Sequence, residues 1–324
     1  MDRFYTPRLL LRPWTAEDAE DLYACAKDPD VGPAAGWQPH TSAEYSRGII
    51  RDILSAEETY AVCLKEDGRP IGSAGLMIGG KNNPGLPPTE AELGYWIAKP
   101  FWGQGLIPEV CRELIRHGFK DLGLSTLWCG YFEGNEKSKR VQEKCGFVYH
   151  HSTENVYVKQ LDETRTVHFT RLTKEDWLSR FTVRQLDDAE IEKAHALAWR
   201  VFCEYESPDY PPEGTEEFRQ TLQNEKYLAG LRYYGAFDGE NMVGMAAIRA
   251  AKRHVCFLFV DGKYHRLGLG TKLVNALKAD FAGNTVTLNA SPYGLPFYLK
   301  VGFIPTDSEQ TVNGIRFTPL QIEC

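Results

Sequence analysis

The chain makes one unusual turn twice, and that repeat constrains its fold more than any other feature. Trp102-Gly103-Gln104-Gly105-Leu106-Ile107 opens an amphipathic stretch, and His265-Arg266-Leu267-Gly268-Leu269-Gly270 opens another. A strand-like run precedes each, from Leu93 to Ala98 and from Val255 to Val260. A glycine turn between a strand and a helix start is a place for an anion. The first helical amides have no intrahelical partner, and the helix dipole favours negative charge there. Two such turns predict two related domains, each holding a phosphorylated ligand.

A length of 324 residues suits two domains, and the halves match element by element. Arg8 to Arg12 and Thr182 to Gln185 read as opening strands. Each leads to a capped helix start, Thr15 with Asp18 and Asp187 with Glu190. Hairpin turns follow at Asp67-Gly68 and Asp238-Gly239. Beyond the glycine turns, apolar residues recur at helical spacing from Ile107 to Phe119 and from Leu269 to Phe281. Next come a strand (Thr126 to Tyr131; Thr285 to Asn289), a short helix, and the phrases Lys144-Cys145-Gly146-Phe147 and Lys300-Val301-Gly302-Phe303. One last strand closes each half, around Thr166 to Arg171 and Ile315 to Pro319. The reading is α/β, with domains at 1–175 and 176–324, a boundary within Leu172 to Arg180, and a mixed sheet flanked by helices in each half.

Several function classes are excluded. A formal charge of −7 argues against a nucleic-acid partner, which needs a basic face. No apolar run approaches the roughly 18 residues of a membrane span. Met1 to Thr6 lacks the apolar core of a signal peptide, so a cytoplasmic protein is expected. The eight cysteines are scattered without a C-x-x-C pair, which predicts reduced thiols acting as small hydrophobes and no metal site. Neither turn is a P-loop, since no Gly-Lys-Ser/Thr follows. Neither is a dinucleotide fingerprint, since Pro108 and Leu273 stand where the third glycine belongs.

These residues resemble the GNAT superfamily of acetyl-CoA-dependent N-acetyltransferases, over nearly the whole chain. Its signature is Q/R-x-x-G-x-G/A between the fourth strand and the following helix. The first half looks like the branch that includes ribosomal-protein N-terminal acetyltransferases. The phrases that carry this are Thr6-Pro7-Arg8-Leu9, Leu93-Gly94-Tyr95-Trp96-Ile97, the Trp102 turn and Asn135-Glu136-Lys137-Ser138. The second half is similar to a separate GNAT group through Phe257-Leu258-Phe259-Val260, the His265 turn and Asn289-Ala290-Ser291-Pro292. The resemblance implies two tandem GNAT domains, each a mixed, mostly antiparallel sheet. It also implies acetyl-CoA as co-substrate, no metal, and an amine-bearing small molecule or peptide as acceptor.

The same resemblance assigns coenzyme contacts. In the first half they are Trp102, Gly103, Gln104, Gly105, Leu106 and Asn135. In the second they are His265, Arg266, Leu267, Gly268, Leu269, Gly270, Thr271 and Asn289. Strand amides near Ile97 and Ala98, and near Phe259 and Val260, would face the thioester carbonyl. Tyr298, four residues before Gly302, stands where many members keep a tyrosine that protonates the departing thiolate. The competing reading is a core aromatic on an amphipathic helix.

The matching position in the first half is Gln142, which cannot supply a proton. Asn135 and Ser138 there are either coenzyme contacts, with Ser138 a weak donor, or a helix cap and its first turn. Glu92 and His254 are general-base candidates, or else solvated strand ends. The run from Glu204 to Tyr210 either builds a pocket for a cationic amine or is a solvated acidic loop. Ile107 replaces the last small residue of the signature and is expected to crowd a pyrophosphate. The chemistry is therefore expected to be more secure in the second half. The alternative is that one or both halves bind acyl-CoA without turnover, as a sensor or scaffold.

Overall fold

The computed structural model describes residues 3–81 and 83–324, so Met1 and Asp2 of the N-terminal reading lie outside the described residues. The chain divides into two compact units, Met1–Trp177 and Leu178–Cys324.

The first unit is built on a sheet of eight strands: β1 (Phe4–Tyr5), β2 (Leu9–Arg12), β3 (Thr59–Leu64), β4 (Pro70–Ile78), β5 (Glu90–Ile97), β6 (Thr126–Phe132), β7 (Val148–Val158) and β8 (Glu163–Thr173). Their spatial order is β1-β2-β3-β4-β5-β6-β8-β7. Helices α1 (Ala19–Ala26), α2 (Gly32–Ala35), α3 (Ala43–Ile49), α4 (Leu106–Arg116) and α5 (Glu136–Cys145) lie between the strands, and α6 (Lys174–Ser179) follows β8. Leu9, Leu11, Tyr60, Leu76, Leu93 and Leu127 from the strands and Leu114, Ile115 and Phe119 from the helical segments are fully buried, while Leu22 of α1 packs in a separate cluster with Trp14, Ala61 and Cys63. Their alternation on the strands and their three-to-four spacing on α4 are what give each element one apolar face.

Every pairing in this sheet is antiparallel except β5 with β6. That parallel ladder holds only at Glu90–Thr126, Ala91–Leu127 and Glu92–Trp128. Beyond it the strands part. β5 stays with β4 as far as Ile97 opposite Gly72, and β6 leaves with β8 as far as Phe132 opposite Val167. Each strand already has an antiparallel partner on its other side, so the twist opens a fork between them.

The second unit repeats the design with β9 (Phe181–Gln185), β10 (Leu231–Asp238), β11 (Asn241–Arg249), β12 (His254–Val260), β13 (Thr285–Ala290), β14 (Ile304–Pro305), β15 (Gln310–Val312) and β16 (Ile315–Glu323). The order is β14-β16-β13-β12-β11-β10-β9, with β15 pairing to β16. Helices α7 (Asp188–Tyr205), α8 (Pro212–Thr221), α9 (Glu225–Leu228), α10 (Leu269–Asp280) and α11 (Leu295–Lys300) complete it. Phe202 of α7 stacks on Phe218 of α8 at 4.0 Å, over Phe257 and Phe259 of β12. The parallel pair is again short. β12 and β13 match only at His254–Thr287 and Val255–Leu288 before they fork.

Both expected capping boxes form, at Thr15 with Asp18 and at Asp187 with Glu190. The first half closes on a hairpin rather than a single strand. β7 has its first eight residues exposed, with Val148 67% and Tyr149 59% exposed. Such a strand offers no buried alternation to read. The expected boundary stretch contains α6, whose Trp177 is buried against Phe119 at 5.4 Å.

Candidate active site

Each glycine turn holds two residues in the left-handed region, at matching positions. In the first unit they are Gly103 (φ +74°) and Gly105 (φ +73°). In the second they are Arg266 (φ +67°) and Gly268 (φ +83°). Alternating handedness turns successive amides toward one concave side, an anion-binding arrangement that the following helix dipole reinforces. Nothing would lie within 4 Å of a Cβ on Gly103 or Gly268, so both stand on open space. Leu106 and Leu269 bury their side chains and offer that space only their amides.

Trp102 and His265 serve the turn from behind. Trp102 Nε1 donates to the carbonyl of Ile97 at 2.8 Å, and His265 Nε2 donates to the carbonyl of Val260 at 2.7 Å. Each ring thus spends its donor on tying the turn to the last residue of the strand. In the first unit Arg8 adds a second tie, its Nη1 donating to the Gln104 carbonyl at 3.0 Å. Glu109 in turn accepts from the Arg8 amide and from Thr6. The Thr6-Pro7-Arg8 phrase is a brace for the turn.

The Ile107 side chain, from which crowding of a pyrophosphate is expected, is buried. The small residue in the second unit answers a different need. A Cβ on Gly270 would come within 2.9 Å of Phe297 on α11. In the first unit the residue one before Gln142 is Val141, as Phe297 is one before Tyr298.

The ladders decide which amides face each fork. The Ala98 amide donates to Ile71 at 2.8 Å, and alternation then commits Trp96 and Gly94 to β4. Leu93, Tyr95 and Ile97 are left pointing into the gap. In the second unit the Asp261 amide donates to Val243 at 2.9 Å, which commits Phe259 and Phe257 to β11 and leaves Leu258 and Val260 facing the gap. Ala98 and Phe259 are therefore corrected as candidate amides. Ala98 is spent on β4, and Phe259 is committed to β11 with its ring packed on Phe218 at 5.6 Å. The units differ at one point. The β11–β12 register shifts between Ala247 and Ile248, leaving Cys256 as a bulge residue just past the fork. The β4–β5 ladder runs without a break.

Tyr298 is 9% exposed, with its ring 5.6 Å from that of Phe303. Its hydroxyl has no hydrogen-bond partner among the described residues. No enclosed side-chain polar atom lacks a partner there, so the hydroxyl is not completely sealed from solvent. Burial, with the nearby charge of Glu206, raises its pKa and keeps the proton on.

The corresponding corner of the first unit is a closed network. Gln142 donates through Nε2 to the Gly130 carbonyl and to Ser138 Oγ, and its Oε1 accepts from Thr170. Tyr95, from β5, places its hydroxyl 2.9 Å from Ser138 Oγ. Asn135 caps α5, accepting from the Ser138 amide at 3.2 Å, so its side-chain oxygen is committed to the helix.

Neither base candidate is a solvated strand end. Glu92 sits at the last parallel pair, bonded by Asn83 at 3.1 Å, and burial raises its pKa. His254 lies at the other fork, 2.9 Å from Thr287 Oγ1, and burial lowers its pKa so that it is neutral at pH 7. Asn289 is exposed on β13 just beyond that fork, and Thr271 is exposed in the first turn of α10.

Glu206 is a group that sequence reasoning met only as part of an acidic run. Burial pushes its carboxyl up to about 7. No group of three His, Cys, Asp or Glu among the described residues could hold a metal ion. No helix among them is long and apolar enough to cross a membrane.

Residues 8–148 and 206–324 each match the acetyltransferase (GNAT) domain. The chain is 33% identical over 133 residues to a Bacillus licheniformis protein named "Uncharacterized N-acetyltransferase p20", spanning 39% of this chain and 71% of that one. It is 48% identical over 59 residues to YdaF of Bacillus subtilis, a candidate ribosomal N-acetyltransferase, spanning 18% of this chain and 32% of that one. The crystal structure of a GNAT-family acetyltransferase from Bacillus anthracis is similar at a TM-score of 0.48 and 19% identity, covering 54% of this chain and 99% of that one. The chain belongs to the GNAT acetyltransferases, with two tandem domains of that family.

Proposed function

We propose that this GNAT chain transfers an acetyl group from acetyl-CoA to a primary amine, and that the C-terminal unit carries the turnover. One conjunction supports this reading most directly. A strand bulged at Cys256 forks from its neighbour, a left-handed turn opens the helix beyond it, and Tyr298 has an unpartnered hydroxyl. In this reading the amides from Leu267 to Thr271, with the Arg266 guanidinium, take the coenzyme's pyrophosphate. The backbone of Leu258 and Val260 lines the path of the pantetheine arm, and the Cys256 amide faces the acyl oxygen. Bound acetyl-CoA supplies an activated acyl carbon and a thiolate leaving group. Tyr298 gives that sulfur its proton, and holding amine and acyl carbon together supplies much of the rate.

Release of free thiol by the full chain, with acetyl-CoA and a panel of small amines and peptides, tests the reading. Tyr298→Phe is expected to lower kcat by about 10²-fold and to leave the KM for acetyl-CoA nearly unchanged. An unchanged kcat removes Tyr298 as the acid. Tight acetyl-CoA binding with no release for any acceptor points instead to an acyl-CoA sensor.

A specific observation favours a second, peptide-directed site in the N-terminal unit. The Gln142 amide, fixed by Gly130 and Thr170, donates to Ser138 Oγ, which also meets the Tyr95 hydroxyl at 2.9 Å, so the serine is oriented by two partners. Glu92 supplies a half-buried carboxyl at the same fork. The likeness to YdaF fits a protein amino terminus as acceptor.

A further inference from the structure

His117 follows the last residue of α4 and opens the π-helical turn His117–Asp121 that continues it. α4 begins at the first glycine turn, so this histidine stands at the far end of the helix that presents the turn. Its side chain is 5% exposed. Both ring nitrogens meet a carboxylate oxygen, Nδ1 with Asp121 Oδ2 at 3.0 Å and Nε2 with Glu58 Oε2 at 2.9 Å. A neutral imidazole has one N–H, so it would donate to one carboxylate and turn a lone pair on the other. Two good bonds require the imidazolium. The helix end suits that charge, because the last carbonyls of α4 favour a cation.

Several elements pack around the ring. Arg116, from its own helix, bonds Asp121 at 2.8 Å and Glu113 at 3.0 Å. Tyr60 of β3 donates to Glu58 Oε2 at 2.6 Å, and the Phe4 ring of β1 lies 4.6 Å from the imidazole. Arg116 and His117 thus stand among Glu58, Glu113 and Asp121, and of the two cations the histidine is the one that can lose its charge near neutral pH. Glu58 is itself strained, with φ +58° in the turn that enters β3. Its carbonyl accepts from the Leu76 amide at 2.9 Å and lies so close that a Cβ on Gly75 would come within 2.6 Å of it. The bond to His117 is one of the contacts that hold this turn in place.

We propose that His117 is a pH-sensitive clamp, which as an imidazolium joins the end of α4 to the strained turn at Glu58 and releases that turn when its proton is lost. The proton leaves to solvent, and the emptied nitrogen then faces a carboxylate. The clamp does not depend on which unit carries the turnover. Burial works against the charged ring, but Glu58 and then Asp121 outweigh it and raise the His117 pKa. His117 in turn holds Glu58 low, and against burial it holds Asp121 low together with Arg116. A raised histidine contributes stability fully below its unfolded value of about 6.5, and loses it as the pH rises from there through the folded midpoint. The lowered carboxylates contribute above about 4 and lose this in acid. The clamp is therefore complete in the weakly acidic range and opens on the alkaline side.

Nitrogen NMR on the full chain, titrated from weak acid to about pH 9, tests this. The His117 signal, assigned by its absence in His117→Gln, should show both nitrogens protonated at pH 7 and a midpoint above about 6.5. Asp121→Asn should move that midpoint down, since it removes one of the two charges that hold the proton. Hydrogen exchange reads the release through the amides of Thr59 and Leu76, which donate to Ala56 and Glu58. Their protection, corrected for the intrinsic rate, should fall by up to about tenfold per pH unit between about 6.5 and the folded midpoint. This limb should be absent in His117→Gln and end at lower pH in Asp121→Asn. A midpoint at or below about 6.5 overturns the clamp, and so does a limb that persists in His117→Gln. Where His117→Gln does not fold, Asp121→Asn decides, because an unmoved midpoint there also overturns it.

Discussion

At the scale of the residue, the two sites solve one backbone problem differently. Position 103 is glycine and position 266 is arginine, yet both adopt the left-handed conformation. An L-residue pays about 1–2 kcal/mol for that, so Arg266 stores strain where its guanidinium sits beside an anion turn. Arg266→Gly should relieve the strain, less about 0.5–1 kcal/mol for the freer unfolded chain. The expected outcome is a small rise in Tm together with a roughly tenfold loss of acetyl-CoA affinity, measured by thermal unfolding and by calorimetry on one preparation. A fall in Tm would mean that the arginine is held by packing and that the strain argument is wrong. Tyr298 and Gln142 make the same point from the other side. One polar group is left free at its fork, and its counterpart is consumed by three bonds.

At the scale of the element, the helix that starts at each turn must fit the short helix behind it. Gly270 is small because Phe297 is large. Gly270→Ala should cost about 1–2 kcal/mol through overpacking. Adding Phe297→Val should recover part of that, with a coupling near 1 kcal/mol in a double-mutant cycle read by denaturant unfolding. Strict additivity would show that the two helices do not compensate. The signals legible in the sequence were of this local kind. Gly103, Gly105 and Gly268 announced the turns, Thr15 and Asp187 the helix starts, and Asp67-Gly68 and Asp238-Gly239 the hairpins. Other features depend on a neighbour that the local sequence does not name. The bulge at Cys256 exists only in its register with β11, and the loss of Ala98 as a free amide depends on Ile71. β7 escaped because its side chains face water along most of its length. The ties made by Trp102 and His265 end on backbone carbonyls, which no pattern of side chains reveals.

At the scale of the whole molecule, duplication explains why two complete forks occur in one chain. Each unit has its own sheet, its own core and its own anion turn. What differs is the chemistry placed at the fork: the second has a strand bulged at Cys256 with Tyr298 nearby, and the first has an unbroken β4–β5 ladder with the fully bonded Gln142. Ile107 is buried and a Cβ on Gly103 would meet nothing within 4 Å, which fits coenzyme binding at the first turn whether or not that unit turns over. Titration of the full chain with acetyl-CoA should therefore give two sites. Gly268→Asp puts a negative charge into the second turn without a packing clash, because no atom lies within 4 Å of the new Cβ. It should leave one site and abolish turnover of small amines. Gly105→Asp, where the nearest atom is the flexible Arg8 guanidinium at 3.8 Å, should also leave one site but preserve that turnover. One equivalent bound by the wild type would confine the coenzyme to a single unit. Loss of the small-amine reaction in Gly105→Asp alone would move the chemistry to the N-terminal fork.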